Sequence, residues 1–330
     1  MKYVQFLFAI LVSYTYFFLK LIKYLANSFF NQSGRYAILF VLLIAFSIRS
    51  KAQESNNSKN QDSICNHYID IAEEYLQNDS LTESMTYLNK VLAIQPKSLI
   101  AIGLRGVCYS LQPTLLDSAI IDFTTAISLD SSIMFSFQKR ADVYYDMKRF
   151  DDCIKDLNVI IKTDSLNVKA IYSRALSYTK LNQRDKSIQD YLKIIEIDTK
   201  QLTATDFIIT VYNNLGFSYL EMGNYSKARF FIDRAILSDS KLSYIWGSSG
   251  ILNYKQGLYN QALTDLDKGI AILENGEPKG LNFQPDLLYY YRGLVLLKLH
   301  KNAESYKSFK KALDLGNKEA KAQMAKTVNK

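Results

Sequence analysis

The chain has 330 residues, 48% hydrophobic and 22% charged, with only four prolines and thirteen glycines. That apolar content excludes a disordered protein, and the scarcity of breakers suits long helices joined by short turns. Six basic residues and no acid fall in 1–53, which leaves 34 basic against 32 acidic residues elsewhere and a slightly acidic 25 against 29 over 54–297. Without a basic face along that stretch, an extended nucleic-acid footprint is disfavoured. Cys65, Cys108 and Cys153 lie more than forty residues apart, too sparse for a disulfide framework or a metal site.

Two apolar runs come first in the chain. Residues 3–19 are interrupted by Gln5, Ser13 and Thr15 and stand at the lower limit for a membrane span. Residues 36–48 are short for a span and right for the apolar core of a secretory signal. Ser50-Lys51-Ala52 then places small residues three and one before a cleavage after Ala52. The segment FSIRSKAQ resembles the end of export signals common in Bacteroidetes-type bacteria. Residues 1–53 therefore read as a signal or membrane-anchor region, with cleavage or retention of 36–52 left open. Lys20, Lys23 and Arg35 favour a cytoplasmic 20–35 connection. That orientation puts the body of the protein in the cell envelope, on the non-cytoplasmic side. Residues 54–63, ESNNSKNQDS, read as a flexible linker.

From Cys65 onward the chain repeats itself. Segments 65–98, 99–133, 134–167, 168–201, 209–242, 243–276 and 286–319 align, so that 64–317 forms one array. Position 8 is Ala72, Gly106, Ala141, Ala175, Gly216, Gly250 and Gly293, always small. A second small residue follows: Ser84, Ala119, Cys153, Ser187, Ala228, Ala262 and Ser305. Ala119 comes one residue late, which implies an insertion in the turn near Gln112-Pro113. A large residue stands four further on: Leu88, Phe123, Leu157, Tyr191, Ile232, Leu266 and Phe309. Small residues on two antiparallel helices let the backbones approach closely while the large ones fill the adjoining groove. Each pair leaves an apolar face for its neighbour to cover.

The spacing of Trp246, Gly250, Tyr254, Gly257, Tyr259, Ala262 and Leu266 resembles the tetratricopeptide repeat signature, as does NNLGFSYLEMGNYSKA over Asn213–Ala228. The resemblance implies an all-α fold: a right-handed α-solenoid of seven helix pairs plus a C-terminal capping helix within 318–330. Its usual proline after the second helix survives only as Pro96, with Asp130, Asp164, Asp198 and Asp239 as candidate turn residues elsewhere. Residues 202–208 are expected to extend the next helix, and 277–285 to form a loop. The resemblance further implies a non-catalytic scaffold that holds a peptide or partner helix on the concave face of its first helices. Carried over, the groove positions are Phe135, Gln138, Asp142, Tyr145, Lys169, Tyr172, Lys180, Asn213, Phe217, Tyr244, Tyr254, Leu287, Tyr290 and Leu294. The clamp with which some relatives hold chaperone carboxyl termini is missing, since Ile69 and Glu73 occupy two of its positions.

His67 and His300, the only histidines, fall in different repeats, and no phosphate loop, CxxC or HExxH occurs. No enzyme, cofactor or metal is therefore expected. The competing reading is a helical-repeat RNA binder, which needs basic charge that this stretch lacks. Arg105, Arg140, Arg174 and Arg292 recur at position 7, and Asp122, Asp156, Asp190 and Asp265 at position 23. They form either a row of guanidinium groups for an acidic ligand or arginine–aspartate staples. Their joint recurrence favours staples, without deciding whether partners share a repeat.

Overall fold

The computed structural model describes residues 60–200, 208–276 and 285–328. The signal or anchor region, most of the 54–63 linker, the 202–207 extension and the 277–284 loop lie outside the described residues. Among those residues every regular element is an α-helix, and none is long and apolar enough to cross a membrane. In chain order they are α1 (60–77), α2 (Leu81–Ile94), α3 (Leu99–Ser110), α4 (Leu116–Leu129), α5 (Met134–Asp146), α6 (Phe150–Thr163), α7 (Val168–Lys180) and α8 (Arg184–Thr199). There follow α9 (Ile208–Glu221), α10 (Tyr225–Ser238), α11 (Ser243–Lys255), α12 (Tyr259–Glu274), α13 (Pro285–Lys298), α14 (Asn302–Asp314) and α15 (Glu319–Val328). The architecture is an all-α array of paired helices with a terminal helix, as expected.

The chain divides into two compact units, 1–108 and 109–330. In the first, Cys65, Ala72, Leu88, Val91, Ala101 and Cys108 pack into one core. Ser84 Oγ donates to the Ala72 carbonyl at 2.8 Å, so the second small residue also pins its helix to the first. Residues 60–63 belong to α1 rather than to the linker. Asp62 accepts a 2.7 Å hydrogen bond from Gln95 at the end of α2, and a polar solvent face imitates a linker in composition alone.

In the second unit the pairing logic recurs. A Cβ added at Gly216 would lie 2.7 Å from Ile232 Cγ1, one at Gly250 2.5 Å from Leu266 Cγ, and one at Gly293 2.6 Å from Phe309. These helices touch where only hydrogen fits. Ser305 Oγ donates to the Gly293 carbonyl at 2.8 Å, repeating the link seen at Ser84. Helix α6 shows how sequence selects its buried face: Cys153, Leu157 and Ile160 fall at helical spacing and are buried. The terminal helix buries Ala320 and packs Met324 against the last core cluster.

Six of the seven turns within pairs share one geometry. Asp79, Lys148, Asn182, Gly223, Gly257 and His300 each take a positive φ between 56° and 77°. In the third pair, Arg149 N–H reaches the Tyr144 carbonyl at 2.8 Å while Lys148 N–H reaches Tyr145 at 2.9 Å. That is a Schellman motif, which satisfies carbonyls left open at a helix end. The same two bonds recur at His300 and Lys301. Between α3 and α4 five residues, 111–115, replace the usual three, which accounts for the insertion.

Turns between pairs use aspartate. Asp130, Asp164 and Asp239 each cap a second helix and accept from the backbone N–H two residues on, at 2.8, 3.1 and 2.8 Å. The carboxylate thus fixes the bend that proline would otherwise set. Asp198 departs from the expectation, because α8 runs on through Thr199 and keeps it helical. Asn167 and Asn224 supply side-chain N-caps to α7 and α10.

Candidate functional site

In the second unit the first helices from α7 to α13 touch one another. Asn214 Nδ2 donates to Tyr172 Oη at 3.2 Å, joining α9 to α7. Thr210 and Tyr244 hydroxyls meet at 3.2 Å between α9 and α11, and the Tyr254 and Tyr291 rings meet edge-on at 5.7 Å between α11 and α13. These contacts join α7, α9, α11 and α13 into one face.

The groove candidates differ in what they can offer. Phe135 is 48% exposed, and Lys169 and Lys180 are exposed as well. Gln138, Asp142, Tyr145, Phe217, Tyr244, Tyr254, Leu287, Tyr290 and Leu294 are half-buried. Tyr172 and Asn213 are 8% and 7% exposed, so neither presents a side chain to a partner. Tyr172 packs on Tyr191 and takes the Asn214 bond, and burial pushes its hydroxyl up to about 12. The position rule sees only helix register, whereas Tyr172 is covered by Asn214 of the adjacent first helix and Tyr191 of the paired second helix. Tyr291, absent from the sequence-based set, joins Tyr254 and Tyr290 in an aromatic cluster.

The arginine–aspartate staples take a definite form. Arg140 grips Asp156 with two hydrogen bonds of 2.8 and 2.7 Å, and Arg174 grips Asp190 with two of 2.8 and 2.6 Å. Both pairs lie within one repeat. The remaining nitrogen, Nη1, reaches back to the preceding repeat, to Thr124 from Arg140 at 2.8 Å and to Asn158 from Arg174 at 2.7 Å. In the first unit, Arg105 Nη1 reaches Asn89 the same way. Arg292 contacts Asp267 of the preceding repeat and Ser308 of its own. Each arginine therefore links helices of two repeats. Asp265 pairs with Ser249 and Asn253 instead, and Arg229 arrives from α10 to bond both of those.

A cleft of about 230 Å³ opens between α5, α6 and α7. Asp142, Tyr145 and Asp146 line it from α5, and Ser173 and Leu176 from α7, with Cys153 at α6. The Cys153 thiol meets Ser177 Oγ at 3.3 Å, and burial raises its pKa to about 11, so it stays protonated and unreactive. His300 occupies the positive-φ turn position, and His67 stands beside the Tyr68 ring. No group of three or more metal-ligating side chains gathers among the described residues.

The tetratricopeptide repeat family model matches residues 68–98, 168–201 and 209–242. No curated protein sequence matches the chain. A tetratricopeptide repeat protein from Parabacteroides merdae superposes over 81% of this chain and 99% of its own, at 20% identity and a TM-score of 0.65. The C-terminal part of a repeat-containing protein from Cytophaga hutchinsonii covers 78% of this chain and 99% of its own, at 18% identity and a TM-score of 0.55. A chain of the APC/C hetero-tetramer Cut9–Hcn1 shares 75% of this chain and 46% of its own, at 12% identity and a TM-score of 0.56. The array therefore has the fold of a tetratricopeptide repeat solenoid.

Proposed function

We propose that this protein is a non-catalytic scaffold of bacterial origin that holds an extended segment or a helix of another protein against its first-helix face. The observation that carries the reading is that the first-helix face, joined from α7 to α13, is unfinished. Phe135 stands in solvent, and Phe217, Tyr244, Tyr254 and Leu294 are only half-covered, although the small-to-large packing inside each pair is complete. Part-covered aromatic and aliphatic side chains interleaved with charge are the composition of a peptide-binding surface. The charge of 1–53 and its two apolar runs support a place in the cell envelope, by anchor or by cleaved signal. The amino-terminal sequence of protein isolated from cells distinguishes these two.

The test is a crosslinking pull-down with the intact chain and with a Phe135→Ala, Leu294→Ala variant whose melting temperature is checked in parallel. Loss of at least one specific partner from the variant is expected. Equal recovery of every partner, or a salt-dependent mobility shift with single-stranded RNA in place of protein capture, overturns the proposal.

A further inference from the structure

The cleft between α5, α6 and α7 has a charge arrangement that the staples and the packing pattern leave unused. Asp142 and Asp146 stand one helical turn apart and line the same opening. Asp142 accepts one hydrogen bond, from Gln138 Nε2 at 2.9 Å. Among the described residues no lysine or arginine comes within ion-pair distance of either carboxylate. Partial desolvation, and then the neighbouring Asp142 charge, raise the Asp146 pKa, as expected of two acids set together without a counter-charge. Asp142 is half-buried and Asp146 exposed, whereas the buried Asp156 and Asp190 each have an arginine fork. The Tyr145 hydroxyl oxygen, also at the cleft, is wholly buried and has no hydrogen-bond partner. A buried polar atom without a partner is uncommon and asks for one.

We infer that this cleft is a socket for one long cationic side chain, a lysine or arginine, of the protein segment held on the first-helix face. The inference rests on the groove reading and adds the chemistry of one partner residue to it. The opening of about 230 Å³ suits a single side chain, not a helix. Ala141 and Leu176 offer apolar contact to an aliphatic stem, while the two carboxylates and the Tyr145 oxygen accept from its charged head. Long basic side chains divide themselves in this way between apolar surface and polar surroundings. A metal ion is a poorer fit, because two carboxylates beside a protonated thiol and no histidine make an incomplete ligand set.

Methyl NMR of the full chain reads the socket without the partner. The cationic probes are n-propylguanidinium and n-butylammonium, and the neutral counterparts are n-propylurea and n-butanol. The cations should shift the Ala141 and Leu176 methyl signals saturably and bind roughly tenfold more tightly than the neutral probes. In Asp142→Asn, Asp146→Asn that preference should vanish. Equal response to charged and neutral probes, no response to either, or a preference that survives the double substitution overturns the socket. The comparison among probes uses the unaltered protein and stays decisive if the variant does not fold. The groove reading is judged separately by the pull-down, so either idea can fail alone.

Discussion

In repeats three and four the paired helices meet at Ala141 and Ala175, beside the two-pronged Arg140–Asp156 and Arg174–Asp190 pairs. In repeats five and six they meet at Gly216 and Gly250, with Ile232 and Leu266 set against them, and position 7 holds Leu215 and Ser249. The two regions solve one problem by different physics. Glycine brings backbones together so that shape fixes the pair, with hydrogen bonds from Ser249 and Asn253 to Asp265 added in repeat six. Alanine stands them further off, and directional hydrogen bonds between opposite charges fix the geometry instead. Repeat seven mixes the two, with Gly293 against Phe309 and an arginine that turns chiefly to its neighbour.

The largest effect should come from breaking a staple. Asp156→Ala strands a partly buried guanidinium and should cost about 3 kcal/mol in urea denaturation, whereas Arg140→Met with Asp156→Leu should cost far less. Comparable losses in the single and double variants would mean that the pair does not set the stability of repeat three. Next comes Gly250→Ala, which should cost about 2 kcal/mol by overpacking against Leu266. The reverse exchange, Ala175→Gly, should cost only about 1 kcal/mol through helix propensity. Similar costs for both would erase the distinction between glycine and alanine repeats. The smallest effect sharpens the turns common to both regions: His300→Gly removes a side chain from a positive-φ position and should stabilise by about 0.5 kcal/mol, read from the denaturation midpoint. A loss of stability there would show that the imidazole has a structural role.

The repeat was legible because close packing restricts residue size at fixed intervals, and size is visible in a sequence. The small positions, the large residue four further on, the inserted turn residue and the terminal helix all follow from it. Aspartate was legible as the partner of Arg140 and Arg174, though not whether it shares their repeat. The further contact was not legible, since it falls on Thr124, Asn158 or Asp267 and no single residue type marks that position. Lys148 and His300 gave no hint of left-handed backbone, because neither is a usual turn residue. Tyr172 and Asn213 occupy groove positions in register and are nonetheless buried, Tyr172 by contacts with α8 and α9 that helix register does not record. The cleft needs residues from three helices at once, and its two acids look like ordinary surface charge when read along α5.

A chain built from similar pairs faces a hazard while it folds: a helix can find the wrong mate and pack passably well. Apolar contacts alone discriminate poorly against such mistakes, since one leucine resembles another. Arg140 and Asp156 sit sixteen residues apart and satisfy each other only in the native pairing or in that of a repeat bearing the same two residues. Opposite Leu215 in place of its arginine, Asp156 would be a charge without its guanidinium partner, a penalty of several kcal/mol when buried. The staples thus act as proofreaders of assembly order, because an out-of-register helix meets an electrostatic error before the array can close over it.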